Sequence, residues 1–268
     1  NISNFTIMNS YDFYAGIKIS HASHASISNC IITHNYYGID VYLSVNNIIH
    51  NNILRYNWIG VQLTYSNNTI ICHNNITKQY GCGIQLSSSI NNIIDKNILN
   101  HNGKRSYNGG SIELSSSNNN IITNNTITKN IDGIELSSSD NNTICYNNIT
   151  VNERHGIKIH FCSDTIVRYN NIYGNKGYGV YNEASPEGYF SVTASHNYWG
   201  SSKGPSKMNS GDGDEVSENV VYRPWLTKPY THASVIEIDS EEDNGWIPGF
   251  ELLAMLIATL LVLARKRK

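Results

Sequence analysis

The chain has 268 residues, of which only 15% are charged, and its formal net charge at pH 7 is −2. Asparagine occupies 39 positions, so the polar surface is largely uncharged. We therefore do not expect nucleic-acid binding, because a phosphate backbone requires clustered Lys and Arg side chains. The length suits one sizeable domain or two small ones.

An alternating apolar triplet, in most cases preceded by glycine, recurs along the chain. The triplets are Ile17–Ile19, Ile39–Val41, Val61–Leu63, Ile84–Leu86, Ile112–Leu114, Ile134–Leu136, Ile157–Ile159 and Val180–Asn182. Their first residues are spaced by 22, 22, 23, 28, 22, 23 and 23 positions, and the step of 28 coincides with an insertion around 103–110. Such a period is typical of a solenoid built from one supersecondary unit per repeat.

Each repeat contains two further short apolar runs, usually opened by a pair of asparagines. One repeat, for example, has Asn46-Asn47-Ile48-Ile49 and then Asn51-Asn52-Ile53. Three β-branched runs separated by Asn, Gly and Ser turns indicate three strands per coil. We therefore predict an all-β, right-handed parallel β-helix of about eight coils of 22–23 residues, followed by a C-terminal hydrophobic helix. A leucine-rich repeat is the structural alternative, but its L-x-x-L-x-L-x-x-N pattern is absent.

Stacking explains the asparagines and the cysteines. Neighbouring coils lie about 4.8 Å apart, so asparagines at equivalent positions are expected to form amide ladders. Asparagine also tolerates the left-handed conformation that tight corners require. The five cysteines fall at different places in the repeat, which favours buried small side chains over a disulfide framework. Because the chain begins inside a repeat, we expect further coils to precede it.

The period ends after Val180, and the sequence that follows is typical of a cap. Trp199 and Trp225 are bulky enough to cover the apolar end of a last coil, so the solenoid with its cap is predicted over 1–226. The segment Gly211–Asp214 is similar to a calcium loop, although the distal Glu of the full motif is missing. Calcium is therefore one candidate ligand of this end.

The C-terminal part has the pattern of a tether. An acidic linker is predicted over 227–246, and a hydrophobic anchor with a basic end over 247–268. The 19 residues from Trp246 to Ala264 are enough to cross a bilayer. Because the cations at 265–268 are expected to stay cytoplasmic, the solenoid is predicted to be extracellular and attached to the membrane.

The coils, together with Asn197-Tyr198-Trp199-Gly200 and Pro224-Trp225-Leu226, resemble the NosD-like β-helix proteins. That family is often described as periplasmic copper-binding and belongs to a wider group of carbohydrate-binding proteins and sugar hydrolases. The tail, with Pro248-Gly249-Phe250, resembles an archaeal PGF-type sorting signal, which implies removal of the helix and lipid attachment. Permanent anchoring by the helix remains the alternative.

Copper is implied by the resemblance and requires converging His, Cys or Met side chains. His21 and His24 are close in sequence, and Cys72 precedes His73. Adjacent residues of a strand face opposite ways, so we do not expect Cys72 and His73 to chelate one ion.

The middle residue of each triplet points outward, because side chains alternate along a strand. Stacking therefore predicts an outward column of Lys18, Asp40, Gln62, Gln85, Glu113, Glu135, Lys158 and Tyr181. Two facing carboxylates repel, which raises the pKa of one of them unless a cation binds. Asp132 and His155 precede the triplets of their coils, and the insertion that carries Tyr107 enters beside Glu113.

Three functions follow from this pattern. The first is a non-catalytic surface module that binds glycans or surface proteins, with Glu113, Glu135, Lys158 and Tyr107 as ligand-binding residues. The second is a polysaccharide lyase, hydrolase or epimerase. Its catalytic candidates are Glu113, Glu135, Asp132, His155 and Lys158. The third is a copper-delivery accessory protein, and a solvated face without a ligand is the plainest alternative to all three.

Overall fold

The computed structural model describes residues 1–8, 14–104, 109–183, 191–206 and 211–231, and these ranges contain strands and turns without a helix. The predicted anchor at 247–268 and Tyr107 lie outside them. Within the described ranges, no helix has the length and apolar character needed to span a membrane. Residues 1–230 form one compact unit.

The strands of the described residues are short and follow one another at regular intervals. They are β1 (Ile2–Ser3), β2 (Thr6–Met8), β3 (Ala15–Ser20), β4 (Ser26–Ser28), β5 (Ile31–Thr33), β6 (Tyr37–Tyr42), β7 (Ile48–His50), β8 (Ile53–Arg55), β9 (Ile59–Thr64), β10 (Ile70–Cys72), β11 (Asn75–Thr77), β12 (Ile84–Ser87), β13 (Ile93–Asp95), β14 (Ile98–Asn100), β15 (Gly110–Ser115), β16 (Ile121–Thr123), β17 (Thr126–Thr128), β18 (Asp132–Ser137), β19 (Thr143–Cys145), β20 (Asn148–Thr150), β21 (Ile157–His160), β22 (Ile166–Arg168), β23 (Asn171–Tyr173), β24 (Tyr178–Glu183), β25 (Val192–Thr193), β26 (Glu215–Val216) and β27 (Val220–Val221).

These strands form three parallel sheets, and each regular coil contributes one strand to each sheet. The first sheet has the order β1-β4-β7-β10-β13-β16-β19-β22-β25-β27, and the second has β2-β5-β8-β11-β14-β17-β20-β23. The third sheet has the order β26-β24-β21-β18-β15-β12-β9-β6-β3 and contains the recurring triplets. In the regular coils each strand therefore pairs with the strand three positions later in the chain, as in a chain wound into a solenoid. The predicted three strands per coil are confirmed.

The core is a stack of inward-facing aliphatic side chains. Ile112, Leu114, Ile134 and Leu136 are at most 2% exposed and pair in register between β15 and β18. Burying one such side chain stabilises the fold by roughly 1.5–3 kcal/mol. A single coil buries only a few of them, so its stability depends on the coils above and below.

The two members of an asparagine pair have different structural roles. In the pairs at 51–52 and 124–125 the first residue adopts a left-handed φ of 56° or 55° and turns the corner. The second residue is buried and joins a ladder with its equivalents in adjacent coils. Its members at the corner between the first and second sheets are Asn52, Asn74, Asn97, Asn125, Asn147, Asn170 and Asn197. The predicted ladders are confirmed, and the five cysteines are buried and free, as predicted.

The cap closes the C-terminal end with Trp199 and Asp214. Trp199 is fully buried in the core, and Trp225 packs against the core while partly buried. The Asp214 carboxylate accepts hydrogen bonds from the backbone N–H groups of Gly174 and Asn175, at 2.7 and 3.0 Å, and from the Asn175 side chain at 2.8 Å. It thereby ends a second amide ladder, which runs through Asn130, Asn152 and Asn175.

Candidate functional site

The outward residues of the third sheet form one column, which we call the outer column: Lys18, Asp40, Gln62, Gln85, Glu113, Glu135, Lys158 and Tyr181. These residues pair in register from strand to strand, as the period predicted. Adjacent members are separated by about one strand spacing of 4.8 Å. The column therefore places Glu113, Glu135 and Lys158 on three consecutive coils.

Glu113 lies in a mostly buried position at the centre of the outer column. Its Oε2 accepts a hydrogen bond from Nε2 of Gln85 at 3.0 Å, and the thiol of Cys82 and the backbone of Gly110 also contact the carboxyl group. Burial raises the pKa of Glu113 from 4.5 to about 7, and the Glu135 charge acts in the same direction against the hydrogen bond from Gln85. Near neutral pH this carboxyl group is therefore a proton donor as often as an acceptor.

Among the described residues, Glu135 has a cationic partner and Glu113 has none. Its Oε1 lies 3.1 Å from Nζ of Lys158, and both side chains are mostly buried, with exposed fractions of 17% and 22%. Its Oε2 is inaccessible to solvent and has no hydrogen-bond partner among the described residues. Both outcomes expected for facing carboxylates therefore occur in this pair. The pKa of Glu113 is raised, and Glu135 has Lys158 as its cation.

Asp132 lies beneath the face and not on it. Its side chain is fully buried, and its carboxylate pairs with the guanidinium of Arg154 and accepts the backbone N–H of His155 at 2.8 Å. These contacts hold the turn that leads into β21 in place. Asp132 therefore positions the loop that carries His155, and it does not face solvent as an open acid.

His155 is held in one orientation by the next coil. Its Nδ1 accepts the backbone N–H of Tyr178 at 3.1 Å, so a neutral ring carries its proton on Nε2. The ring stacks on Tyr181, with centroids 5.0 Å apart and planes at 15°, and Tyr178 lies tilted beside both. Burial lowers the pKa of His155, which favours the neutral ring.

Two residues of this site do not follow from the repeat pattern. Cys82, which is 4% exposed, lies against Glu113, and burial, together with this carboxylate, raises the pKa of the thiol well above 9.0. Gly110 occupies the place where other coils have a side chain, and a Cβ there would lie 3.1 Å from the Cβ of Glu135. Two features of the sequence signalled this difference: Ser111 stands where most triplets are preceded by glycine, and an insertion comes before it. Lys104 in that insertion is exposed.

The described residues do not fit a metal centre. No group of three or more His, Cys, Asp or Glu side chains converges within these ranges. Burial raises the pKa of Cys72 to about 12, which disfavours the thiolate that copper requires, and His73 lies at an exposed corner. At the cap, Asp214 faces N–H donors and Asp212 pairs with Lys203 at 2.9 Å, so Gly211–Asp214 does not fit a calcium loop.

The class of protein is defined by the three stacked sheets and the polar column on the third. Parallel crossovers are right-handed in nearly all proteins, so this arrangement is expected to be a right-handed parallel β-helix. The chain matches the family model described as right handed beta helix region over residues 1–107 and 104–221, and it belongs to that family. The predicted right-handed parallel β-helix is confirmed, and the predicted C-terminal helix lies outside the described residues.

Solved structures with the same fold include two epimerases whose names refer to polysaccharides, and a bacteriophage tailspike protein. A variant of the periplasmic alginate epimerase AlgG is 20% identical with a TM-score of 0.64, and the match covers 84% of this chain and 58% of that one. The A-module of the mannuronan C-5 epimerase AlgE6 from Azotobacter vinelandii is 14% identical with a TM-score of 0.62, covering 78% and 65%. The tailspike protein 2 from an Escherichia coli O157:H7 bacteriophage is 14% identical, with a TM-score of 0.56 and coverage of 74% and 29%.

The alignment thus spans between about a half and two thirds of the two epimerase chains. No curated protein matches the sequence. At these identities the similarity establishes the fold.

Proposed function

We propose that this chain is a glycan-binding β-helix of the cell surface, and that its binding face is the outer column from Gln85 to Tyr181. The observation that carries the proposal is the convergence of Glu113, the Glu135–Lys158 pair and the stacked His155 and Tyr181 rings on consecutive coils. Carboxyl, ammonium and imidazole groups bind sugar hydroxyls, and aromatic rings stack on the apolar faces of sugars.

The charge balance of this face favours a ligand rich in hydroxyl groups and without net charge. Glu113 carries only part of a negative charge near neutral pH, Glu135 is balanced by Lys158 and Asp132 is balanced by Arg154. A strip with donors and acceptors but little net charge suits a neutral polysaccharide. The names of the epimerase structures refer to alginate and mannuronan and support glycans in general, whereas the preference for a neutral glycan rests on the ion pairs of this face alone.

A catalytic role is the second candidate, and the raised pKa of Glu113 favours it. A carboxylic acid with a pKa of about 7 beside an ion-paired carboxylate has the chemistry of an acid and base pair. The two residues lie on adjacent strands, about 4.8 Å apart, while the carboxyl groups of retaining glycosidases are about 5–5.5 Å apart. In this candidate Glu113 protonates the leaving oxygen and Glu135 stabilises or attacks the sugar.

The location that we propose is extracellular, with the tail at 247–268 as anchor or sorting segment. The basic end and the apolar run of that segment support it. Labelling of intact cells with a membrane-impermeant reagent would detect the β-helix at the surface. Labelling only after lysis would refute this location.

The binding face is tested with a glycan array of the full chain. We expect the Glu113→Gln/Glu135→Gln variant to lose binding that the wild type shows. The matched control is Lys18→Gln/Asp40→Asn, which removes an ion pair of 3.5 Å at the far end of the same column and should bind like the wild type.

Three results decide between the candidates. Equal loss in both variants, or no binding by folded wild type, would overturn the proposed face. Release of shortened or unsaturated sugars by the wild type, abolished by Glu113→Gln alone, would establish the catalytic candidate. Binding without product would establish the non-catalytic one.

A further inference from the structure

A second polar surface lies at the corner that follows the strands of the second sheet. Lys78, His101 and Lys129 occupy equivalent corner positions after β11, β14 and β17, with φ values of 57°, 55° and 57°. Equal backbone conformation on consecutive coils projects the three side chains in one direction, in steps of about 4.8 Å. Together with Lys104, which follows on the same turn as His101, they form the cationic corner.

The cationic corner concentrates positive charge in a chain whose net charge is −2. Lys78, Lys104 and Lys129 are exposed, and none of them belongs to an ion pair within the described ranges. Partial burial lowers the pKa of His101, and the charges of Lys104, Lys129 and Lys78 lower it further, against a single opposing carboxylate, Glu153. Three lysines therefore act on the same point of the surface.

Aromatic rings extend the cationic corner along the same row. Tyr56 is the equivalent residue in the coil before Lys78, and its hydroxyl lies 3.4 Å from the ammonium of Lys78. His34, one coil earlier, stacks on Tyr56 with centroids 5.3 Å apart and planes at 24°. The row thus continues from cations into stacked rings over five consecutive coils.

We propose that the cationic corner is a binding site for an acidic polysaccharide that runs parallel to the axis of the β-helix. An acidic glycan carries carboxylate or sulfate groups along its length, and the corner presents three exposed lysine ammonium groups with the His101 ring among them. Since His34 and Lys78 lie against the Tyr56 ring, the glycan would meet this row at its edge, where the Tyr56 hydroxyl can hydrogen-bond to sugar hydroxyls. A nucleic acid fits less well, because three lysines neutralise few phosphates. This site is separate from the outer column and does not depend on its function.

The test measures binding of the full chain to two acidic glycans, a polyuronate and dextran sulfate, with neutral dextran as reference. We expect binding to one or both acidic glycans, weakening as salt rises, because exposed charges are screened. Lys78→Gln/Lys129→Gln should weaken it about tenfold, as the loss of two exposed charge contacts implies. Preference between the two glycans identifies carboxylate or sulfate as the recognised group.

The matched control is Lys96→Gln/Lys203→Gln, which removes the same charge from lysines that pair with Asp95 and Asp212. The affinity of the control should lie within about twofold of that of the wild type. If both double variants weaken binding equally, the net charge of the protein and not this site determines the affinity, and the proposal is overturned. Failure of the folded wild type to bind, or equal affinity for neutral dextran or for a single-stranded oligonucleotide, would also overturn it. The Glu113→Gln/Glu135→Gln variant should bind acidic glycans normally, which separates this proposal from the outer column.

Discussion

Replacing Asn125 with alanine removes one rung from the middle of a buried ladder. Asn125 Oδ1 accepts the backbone N–H and the Nδ2 of Asn97, at 2.8 and 3.0 Å. Its own Nδ2 donates to the carbonyls of Ile94 and Thr123, each at 2.8 Å, and to Oδ1 of Asn147 at 3.0 Å. At least two buried groups, the Asn97 N–H and the Ile94 carbonyl, lose these contacts in the variant.

Each unsatisfied buried group costs about 1–3 kcal/mol, so the free energy of unfolding should fall by roughly 2–6 kcal/mol. Urea denaturation followed by circular dichroism measures this change. The control is Asn75→Ala, an exposed asparagine on the outer side of the second sheet, for which we expect a change within about 0.5 kcal/mol. If the two variants differ by less than about 1 kcal/mol, the ladder does not stabilise the fold as argued.

Three further predictions concern stability. Because the folded pKa of Glu113 is raised from 4.5 to about 7, its contribution is full below pH 4.5 and is lost as pH rises towards 7, on the order of 2–3 kcal/mol. Urea titrations at pH 4.5 and at pH 7 should show this fall in the free energy of unfolding for the wild type and not for Glu113→Gln. An equal dependence of the unfolding free energy on pH in the two proteins would contradict the assignment. Gly38→Ala should lower the unfolding free energy by about 1–3 kcal/mol, since its Cβ would meet the Gly60 carbonyl oxygen at 2.5 Å, and an unchanged urea midpoint would refute this contact. Asp214→Ala should accelerate hydrogen exchange at Gly174 and Asn175, because their N–H groups donate hydrogen bonds to the Asp214 carboxylate. Unaltered exchange at these two residues would mean that Asp214 does not close the last coil.

The outer column was predictable because a parallel β-helix converts sequence period into spatial neighbourhood. Triplets 22 residues apart must pair in register if their apolar residues are to stay inside, as Glu113 and Glu135 do. The same reasoning predicted the amide ladders from the asparagine pairs. It did not predict which member of a pair turns and which is buried, because that depends on the corner geometry.

The environments of the site residues came only from the tertiary structure. Burial, more than the facing carboxylate, raises the pKa of Glu113, and Cys82 reaches it from the neighbouring coil while Gly110 lies at the start of its own strand. Asp132 looked like an acid of the face, yet it is enclosed with Arg154. Asp214 looked like a calcium ligand and instead ends a ladder.

The sequence by itself therefore determined the coil, the register and the order of residues along each row, because these follow from a fixed repeat. Only the tertiary structure decided the burial, the ion pairing and the protonation of those residues. The physical reason is that desolvation and hydrogen bonding depend on atoms from the turns and coils around a side chain. The insertion before Gly110 does not follow the period, and it makes the coil of Glu113 differ from its neighbours.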